Sequence, residues 1–452
     1  MRSQAIRTSA RPRVTESRPR SLARCVLTLL ALSACSTNTP PVTRSHPDTT
    51  LLNRMLIAED ARGTGAEGIA PLLEGEMSSD STLHAVAVRG LARLKWAPAP
   101  PAPSANRAAP RPPADRPPPP PCSRLTARAH SPDLRERIPA ADSLAACSDD
   151  GSTLLPLTVS SDDNVRAGAI TGLSRATKHA YDSVYISALG ARGYQVVLAA
   201  ARALAGTPNA QAAIPALLAS LDRLTAARRE NSRDERMMIL ARLAEFGTVA
   251  NAPRLQQYTT DFDTTVASKA AQILTKWTGA TVVAHAKPLP IRAEPLAEIF
   301  RSRGMQLRIT MAQSSGAGTI VVKLFTDETP ATIARIARLA RAHYYDGLTW
   351  HRFVPNFVIQ GGSPGANEQV GDAAFMRDEL GGHSHLRGTM GISTRGHDTG
   401  DAQFFVNLVD NRNLDHDYTV FGEIVSGMDV VDKIREGDVM ARVEVVSGTP
   451  RP

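Results

Sequence analysis

Between residues 51 and 279 apolar side chains recur at helical spacing, and a faint repeat runs through them. An apolar residue is followed four positions on by a small or apolar one and eight positions on by leucine: Leu83/Ala87/Leu91, Val165/Ala169/Leu173, Val196/Ala200/Leu204 and Val266/Ala270/Leu274. Glu235/Ile239/Leu243 is a degenerate copy. Residues four and eight apart share one face of an α-helix, and small side chains there let a neighbouring helix come close. The last leucines of the copies stand 82, 31, 39 and 31 residues apart. Apart from the first gap, that is the length of a two-helix unit, so the pattern predicts a stacked array of helix pairs. An irregular alanine-rich bundle satisfies the same periodicity.

Beyond residue 305 the pattern changes to short β-like runs separated by glycine-rich turns: Leu307 to Met311, Thr319 to Phe325, Phe357 to Gln360, Thr389 to Ser393, Phe404 to Leu408 and Thr419 to Val425. Two helices interrupt them. The first opens with Thr329 as N-cap and Pro330 at the first helical position. Its apolar face is Ile333, Ile336, Ala337 and Ala340, with Arg335, Arg338 and Arg341 expected to point elsewhere. The second runs near Asp429 to Glu436. Many short strands with two helices predict a closed antiparallel barrel with capped ends.

Two segments separate or interrupt these regions. Residues 280–304, with Pro288, Pro290 and Pro295, read as a linker. Residues 97–145 break the helical array: twelve of the twenty-four residues from Pro98 to Pro121 are proline, which no helix interior tolerates. Three readings stay open for this segment: a polyproline spacer, an exposed partner-binding strip, or a frameshift introduced in sequencing or gene prediction. No function is built on it.

The formal charge of +8 changes meaning once it is located. Residues 1–34 hold arginines at 2, 7, 11, 13, 18, 20 and 24 against the single acid Glu16, so most of the excess sits there. Basicity is therefore a targeting property, and nucleic acid is not an expected partner. An arginine-rich start, the apolar run Cys25 to Leu32 and small residues after it have the form of an export signal. The run is too short for a permanent membrane span. Leu32-Ser33-Ala34-Cys35 resembles a bacterial lipobox. That resemblance implies cleavage before Cys35, lipidation of its thiol, and a membrane anchor followed by a polar tether at 35–50. It places the protein in the cell envelope facing the periplasm, with Ser36 favouring the outer membrane. Cys122 and Cys147 remain; pairing and free thiols are both open.

The chemistry concentrates in Trp350 to Gly362, WHRFVPNFVIQGG. One cation, Arg352, stands among aromatic and aliphatic residues, followed by an amide, Gln360. No acid, thiol or metal cluster stands beside them, so the segment is furnished to hold an apolar group and polarise an amide rather than to hydrolyse one. No cofactor or metal is called for; His383, His385, His397 and His416 lie in polar loops and are expected to be solvent-exposed.

This segment is followed by GTMGIS (Gly388 to Ser393), AQFFVN (Ala402 to Asn407) and LDHDYTVFGEIVSGMDVVDKI (Leu414 to Ile434). In order and spacing the four motifs resemble the cyclophilins, peptidyl-prolyl cis–trans isomerases built on an eight-stranded β-barrel with two capping helices. The resemblance covers residues 305–447. It implies that Arg352 is catalytic and that Gln360 and Gln403 hold the substrate backbone and the arginine. It further implies that Phe357 and Phe405 receive the proline ring, with Leu414 as a further apolar wall. Val358 lies beside the proline pocket, Ser393 on the strand that pairs with the peptide, and Tyr418 where relatives often have histidine. His351 is expected as a hydrogen-bonding support, and strand alternation turns Phe404 away from Phe405 into the core. Val358 and Asn413 depart from the usual methionine and tryptophan, which alters the rim of the pocket.

In the helical region, Asp162-Asp163-Asn164-Val165-Arg166 resembles the opening of the second helix of many HEAT repeats. The expected architecture is thus an all-α, HEAT-like solenoid over 51–279, joined to a cyclophilin-type domain over 305–447. The expected partners are proline-containing unfolded or exported proteins, the membrane through Cys35, and a protein on the solenoid. The alternative is an envelope scaffold whose cyclophilin region binds proline segments with little turnover.

Overall fold

The computed structural model describes residues 49–61, 66–95, 122–147, 151–289, 294–372 and 374–448. The export leader, Cys35 and the proline run of 98–121 lie outside the described residues. The helical region comprises α1 (Thr49–Ala61), α2 (Ala66–Glu76), α3 (Ser81–Lys95), α4 (Cys122–Ala129), α5 (Leu134–Leu144), α6 (Asp163–Thr177), α7 (Asp182–Ala188), α8 (Tyr194–Ala203), α9 (Ala210–Ala226), α10 (Arg233–Phe246), α11 (Ala252–Leu255) and α12 (Thr264–Thr278). Among the described residues none of its helices is long and apolar enough to cross a membrane.

The repeat read from the sequence coincides with every second helix from α6 onward. Helices α5, α6, α8, α10 and α12 contact one another in that order. Leu173, Leu204, Leu243 and Leu274 are all buried in one continuous core. Three of these helices start the same way. Asp133, Asp162 and Asp263 cap α5, α6 and α12 by accepting backbone N–H groups of the first turn. Each cap is braced in turn, its own N–H donating to Ser131, Ser160 or Asp261.

The proline-rich interruption ends earlier than the sequence suggested. Residues 122–147 form α4 and α5, whose Leu125, Ala129, Ala140, Ala141 and Leu144 join the same core. Glu136/Ala140/Leu144 is a further copy of the repeat, with Leu144 standing 29 residues before Leu173. It packs tightly: a side chain at Gly168 of α6 would place its Cβ 2.0 Å from the Ala141 carbonyl oxygen. Cys122 and Cys147 are not joined by a disulfide.

The segment 280–304 is likewise more than a tether. His285 and Lys287 donate backbone hydrogen bonds to Thr259 and Asp261. Glu294 and a short helix α13 (Leu296–Arg301) then dock on the C-terminal region. Ile299 of α13 is buried with Leu52, Met55, Leu72 and Val86 of α1–α3, and with Ala334 beyond it.

The C-terminal region is one eight-stranded antiparallel sheet, β1 (Met305–Met311), β2 (Gly318–Leu324), β3 (Thr349–Val354), β4 (Val358–Ser363), β5 (Thr389–Ile392), β6 (Phe404–Asn407), β7 (Val420–Ser426) and β8 (Met440–Ser447). The strand order is β3-β4-β6-β5-β7-β2-β1-β8. The expected closed barrel is not established: β3 and β8 end the sheet without a ladder between them, so it is an open half-barrel. The seam is spanned by the isolated bridge of Thr349 with Val439 and by backbone hydrogen bonds from Gly347 to Met440, Met440 to Leu348, Trp350 to Asp438 and Gly437 to Trp350. Bulges at Thr349/Trp350 and Thr310/Met311 curl the two edges and break the register that a continuous ladder would need. Inside the curl Trp350, Tyr345, Phe404 and Phe421 are fully buried, with Trp350 edge-on to Phe404 at 5.6 Å.

Helix α14 (Pro330–Arg341) covers one end of the sheet. Thr329 and Pro330 open it as expected, but the cap is supplied from elsewhere: Glu379 accepts the N–H groups of Ala331 and Thr332. Arg335 does not point to solvent. It is buried at 2 % exposure and held by Asp372 and the Ala374 carbonyl. The second helix is a single turn, α15 (Met428–Val431), shorter than expected.

Candidate active site

Strand pairing sets the site residues in a row. Arg352 on β3 lies opposite Gln360 on β4, Gln360 opposite Phe405 on β6, and Phe405 opposite Gly391 on β5. Alternation along β6 sends Phe404 into the core and Phe405 to the other face, as read from the sequence. Phe405 lies over the bare backbone of Gly391, where a Cβ would stand 2.4 Å from its ring. Tyr418 meets the Phe405 ring edge-on at 5.9 Å, and His385 stacks on it at 5.6 Å. Phe357, Ser393, Leu414 and Tyr418 are half-buried around this row, and Val358 is nearly enclosed.

The amides form a chain. Gln360 Nε2 donates to Ser393 Oγ at 2.9 Å and to Gln403 Oε1 at 3.0 Å. Gln403 Nε2 donates in turn to the carbonyls of Glu368 and Val370, each at 3.2 Å. Arg352 is not held by these amides. Its Nε pairs with the Glu368 carboxylate at 3.2 Å, and its side chain is 27 % exposed. Asp142 of α5 also enters its field. Much of Asp142 stays wet, yet protein crowding and the Glu368 charge push its pKa up to about 6, against the opposing pull of Glu436 and Arg352.

Two histidines depart from expectation. His351 is buried at 3 % exposure, and neither ring nitrogen has a hydrogen-bond partner of normal geometry. Alternation places it behind the row, so it offers no surface to a ligand. Burial pushes its pKa down to about 4, and the nearby Thr349 backbone and Gln403 offset this only in part. His385, expected in a solvent-exposed loop, is fully buried. Its Nε2 faces the Tyr418 carbonyl and its Nδ1 faces Asn407 Nδ2 at 3.1 Å. Asn407 Oδ1 accepts from Asn411, which also binds the Phe357 carbonyl at 3.0 Å. His385, Asn407 and Asn411 thus form a polar backing that fixes Phe357 and Phe405 from behind. Among the described residues no group of three metal-ligating side chains occurs.

Glu368 and Asn411 went unnoticed in the sequence, and Asn407 entered only as the end of the AQFFVN motif. Glu368 sits in a loop with no periodicity, and the two asparagines look like ordinary turn residues.

An arginine beside an aromatic floor, with two cross-linked amides and, among the described residues around them, no thiol and no hydroxyl paired with a base, can bind a ring and stabilise charge. Residues 308–449 match the family described as cyclophilin type peptidyl-prolyl cis-trans isomerase/CLD. A peptidyl-prolyl cis-trans isomerase from Helicobacter pylori is 37 % identical over 130 residues, which are 28 % of this chain and 80 % of the relative. The chain belongs to the cyclophilin-type peptidyl-prolyl isomerases. Peptidyl-prolyl cis-trans isomerase B from Bacillus subtilis is also 37 % identical, over 128 residues that make up 28 % of this chain and 90 % of the relative. A solved cyclophilin-type isomerase from Cryptosporidium parvum, crystallised in the presence of the dipeptide Ala-Pro, covers 32 % of this chain and 99 % of its own length at 19 % identity and a TM-score of 0.28. The family match lies within the C-terminal region.

Proposed function

We propose that the isomerase region accelerates rotation about X–Pro bonds in exported polypeptides, and that the helical region brings those clients to it. The observation that carries this reading is the partly exposed Arg352 guanidinium at one end of the Gln360–Phe405 row, beside an apolar face. An X–Pro amide resists rotation because nitrogen shares its lone pair with the carbonyl. Twisting frees that pair, which then accepts a hydrogen bond. A guanidinium aimed at the prolyl nitrogen stabilises the twisted state more than the planar one, and that difference lowers the barrier. Arginine suits the role because it remains charged and presents its donors in a rigid plane.

In this mechanism Phe357, Phe405, Leu414 and Val358 hold the proline ring while the acyl side swings. Gln403, cross-linked to Gln360 and to the 368–370 backbone, holds Gln360 in place, and Gln360 Oε1 accepts from the peptide backbone beside Ser393, while Tyr418 borders the ring site. The continuous contacts from α5 to α12 support a HEAT-like solenoid, whose exposed surface is the proposed docking site for clients or a partner protein. Attachment to the envelope membrane would come through lipidated Cys35. If so, Cys35→Ser moves the protein out of the membrane fraction; retention there contradicts the anchor.

The functional reading is tested by refolding a protein whose slow phase is limited by proline isomerisation. Substoichiometric full-length protein should shorten that phase several-fold. An unchanged phase would favour instead a scaffold that binds proline segments without turning them over.

A further inference from the structure

The loop joining β4 to β5 carries Glu368, and it is held from outside the isomerase region. Asn164, in the first turn of α6, donates from Nδ2 to the carbonyls of Gly365 at 2.9 Å and Ala366 at 3.3 Å. Its Oδ1 accepts from Asn367 Nδ2 at 3.0 Å, and from Gln195 Nε2 of α8 at 3.0 Å. The loop then closes on itself. Asn367 Oδ1 accepts the N–H groups of Gln369 and Val370 at 2.8 and 3.0 Å, and Ser363 Oγ donates to the Val370 carbonyl at 2.7 Å. Glu368 lies in the middle of this braced turn. Its carboxylate takes Arg352 Nε, and its carbonyl accepts from Gln403 Nε2 and from Arg395.

We propose that Asn164 is a positioning residue for prolyl isomerisation: from the helical region it fixes the 363–370 loop, and through Glu368 it sets the aim of Arg352 and the placement of Gln403. This rests on the catalytic reading of Arg352 given above. A guanidinium has five donors in one plane. Pairing Nε at 3.2 Å with a carboxylate whose backbone is braced on both sides, though its side chain is 52 % exposed, biases that plane and leaves the two terminal nitrogens for the prolyl amide. An arginine without that partner samples many rotamers, and few of them are productive. The active site is in this sense assembled by both regions, although every cyclophilin motif lies in one of them.

The test uses the full-length chain as wild type, Asn164→Ala, Asn164→Ser, Glu368→Gln, and Asn164→Ala combined with Glu368→Gln. The first readout is the NMR signal of the Arg352 Nε–H, assigned by its absence in Arg352→Lys. Slow exchange with solvent is expected in wild type and fast exchange in each single variant. The second readout is turnover of a proline-containing tetrapeptide. For the single variants kcat should fall roughly three- to tenfold, between the worth of an exposed ion pair and that of a misaimed catalytic group, with KM within about twofold. The double variant should be no worse than the poorer single one, since both act through one contact. Unchanged Nε–H exchange in Asn164→Ala, or kcat losses that multiply in the double variant, would overturn the proposal. Should Asn164→Ala fail to fold, Asn164→Ser and Glu368→Gln decide it by the same readouts. A wild type without turnover would sink the catalytic reading alone, because Nε–H exchange reports on positioning independently of activity.

Discussion

The helical and isomerase regions each bury an ionisable side chain that lacks a hydrogen-bond partner of normal geometry, but they do so with opposite chemistry. In α10, Glu235 occupies the slot that valine fills in three other copies of the repeat. It is fully buried, and burial pushes its pKa up to about 8. On β3, His351 sits behind the site row, and burial pushes its pKa down to about 4. Both are neutral at pH 7. The contrast reflects how each region is built. A repeat tolerates one misfit copy because its neighbours carry the same core, whereas in the sheet a single strand supplies core residue and site residue at consecutive positions. Changes in the helical core should therefore act on stability, Asn164 at its contact with the 363–370 loop being the exception, while changes in the sheet should separate into structural and chemical effects within one residue's distance.

The adjacent pair Phe404 and Phe405 sharpens this most. Phe404→Ala should destabilise the isomerase region by about 3–5 kcal/mol, because Phe404 is fully enclosed beside Trp350 and Tyr345. Phe405→Ala should cost less stability and raise KM about tenfold. Denaturant unfolding and peptide kinetics on both variants check this; equal loss of stability with unchanged KM would break it. In the helical region Leu243→Ala should cost about 2–5 kcal/mol and leave kcat within twofold, by the same measurements.

The two buried groups predict opposite pH responses. Glu235 keeps its proton in the fold to about pH 8, while the unfolded chain releases it near pH 4.5. The helical region should thus lose stability as pH rises between those values, by an amount on the order of a few kcal/mol. Glu235→Gln should remove that loss. For His351 the unfolded chain binds a proton below about pH 6.5, and the folded chain resists until about pH 4. The isomerase region should therefore lose stability as pH falls through that window, and His351→Gln should flatten the decline. Hydrogen exchange read region by region at pH 4.5, 6.5 and 8 separates the two. At the small end, Arg387→Gln breaks an exposed pair with Asp432 whose partners are 44 % and 47 % exposed, and should shift stability by less than about 1 kcal/mol.

What the sequence revealed follows the same division. The isomerase site was legible because four motifs fix its residues in order, and because alternation separates Phe404 from Phe405. Strand β3, which carries Arg352, escaped the periodicity reading. Its bulge breaks alternation, and its burial runs buried-buried-buried before opening out. The repeat in α5 was hidden by Glu136 in an apolar slot, by Pro139 within the helix and by the neighbouring proline run. From the sequence Arg335 is legible only as lying off the apolar face of its helix, because no local pattern announces Asp372, which arrives from another loop. Glu368 escaped notice because its partners Arg352, Gln403 and Arg395 lie on other elements, and Asn164 because its contacts reach across about 200 residues of chain, which no window of sequence contains.

Arg352 decides whether the isomerase region is a catalyst. Exchange spectroscopy on a proline-containing peptide, with full-length wild type, Arg352→Lys and Arg352→Ala, measures cis–trans interconversion directly. Wild type should exchange the peptide far above the uncatalysed rate. Arg352→Ala should lose about 10²–10³ of kcat/KM, the usual cost of removing one donor from a preorganised site, and lysine should recover only part of it. Wild-type exchange at the background rate, or an Arg352→Ala variant as fast as wild type, would contradict the catalytic reading.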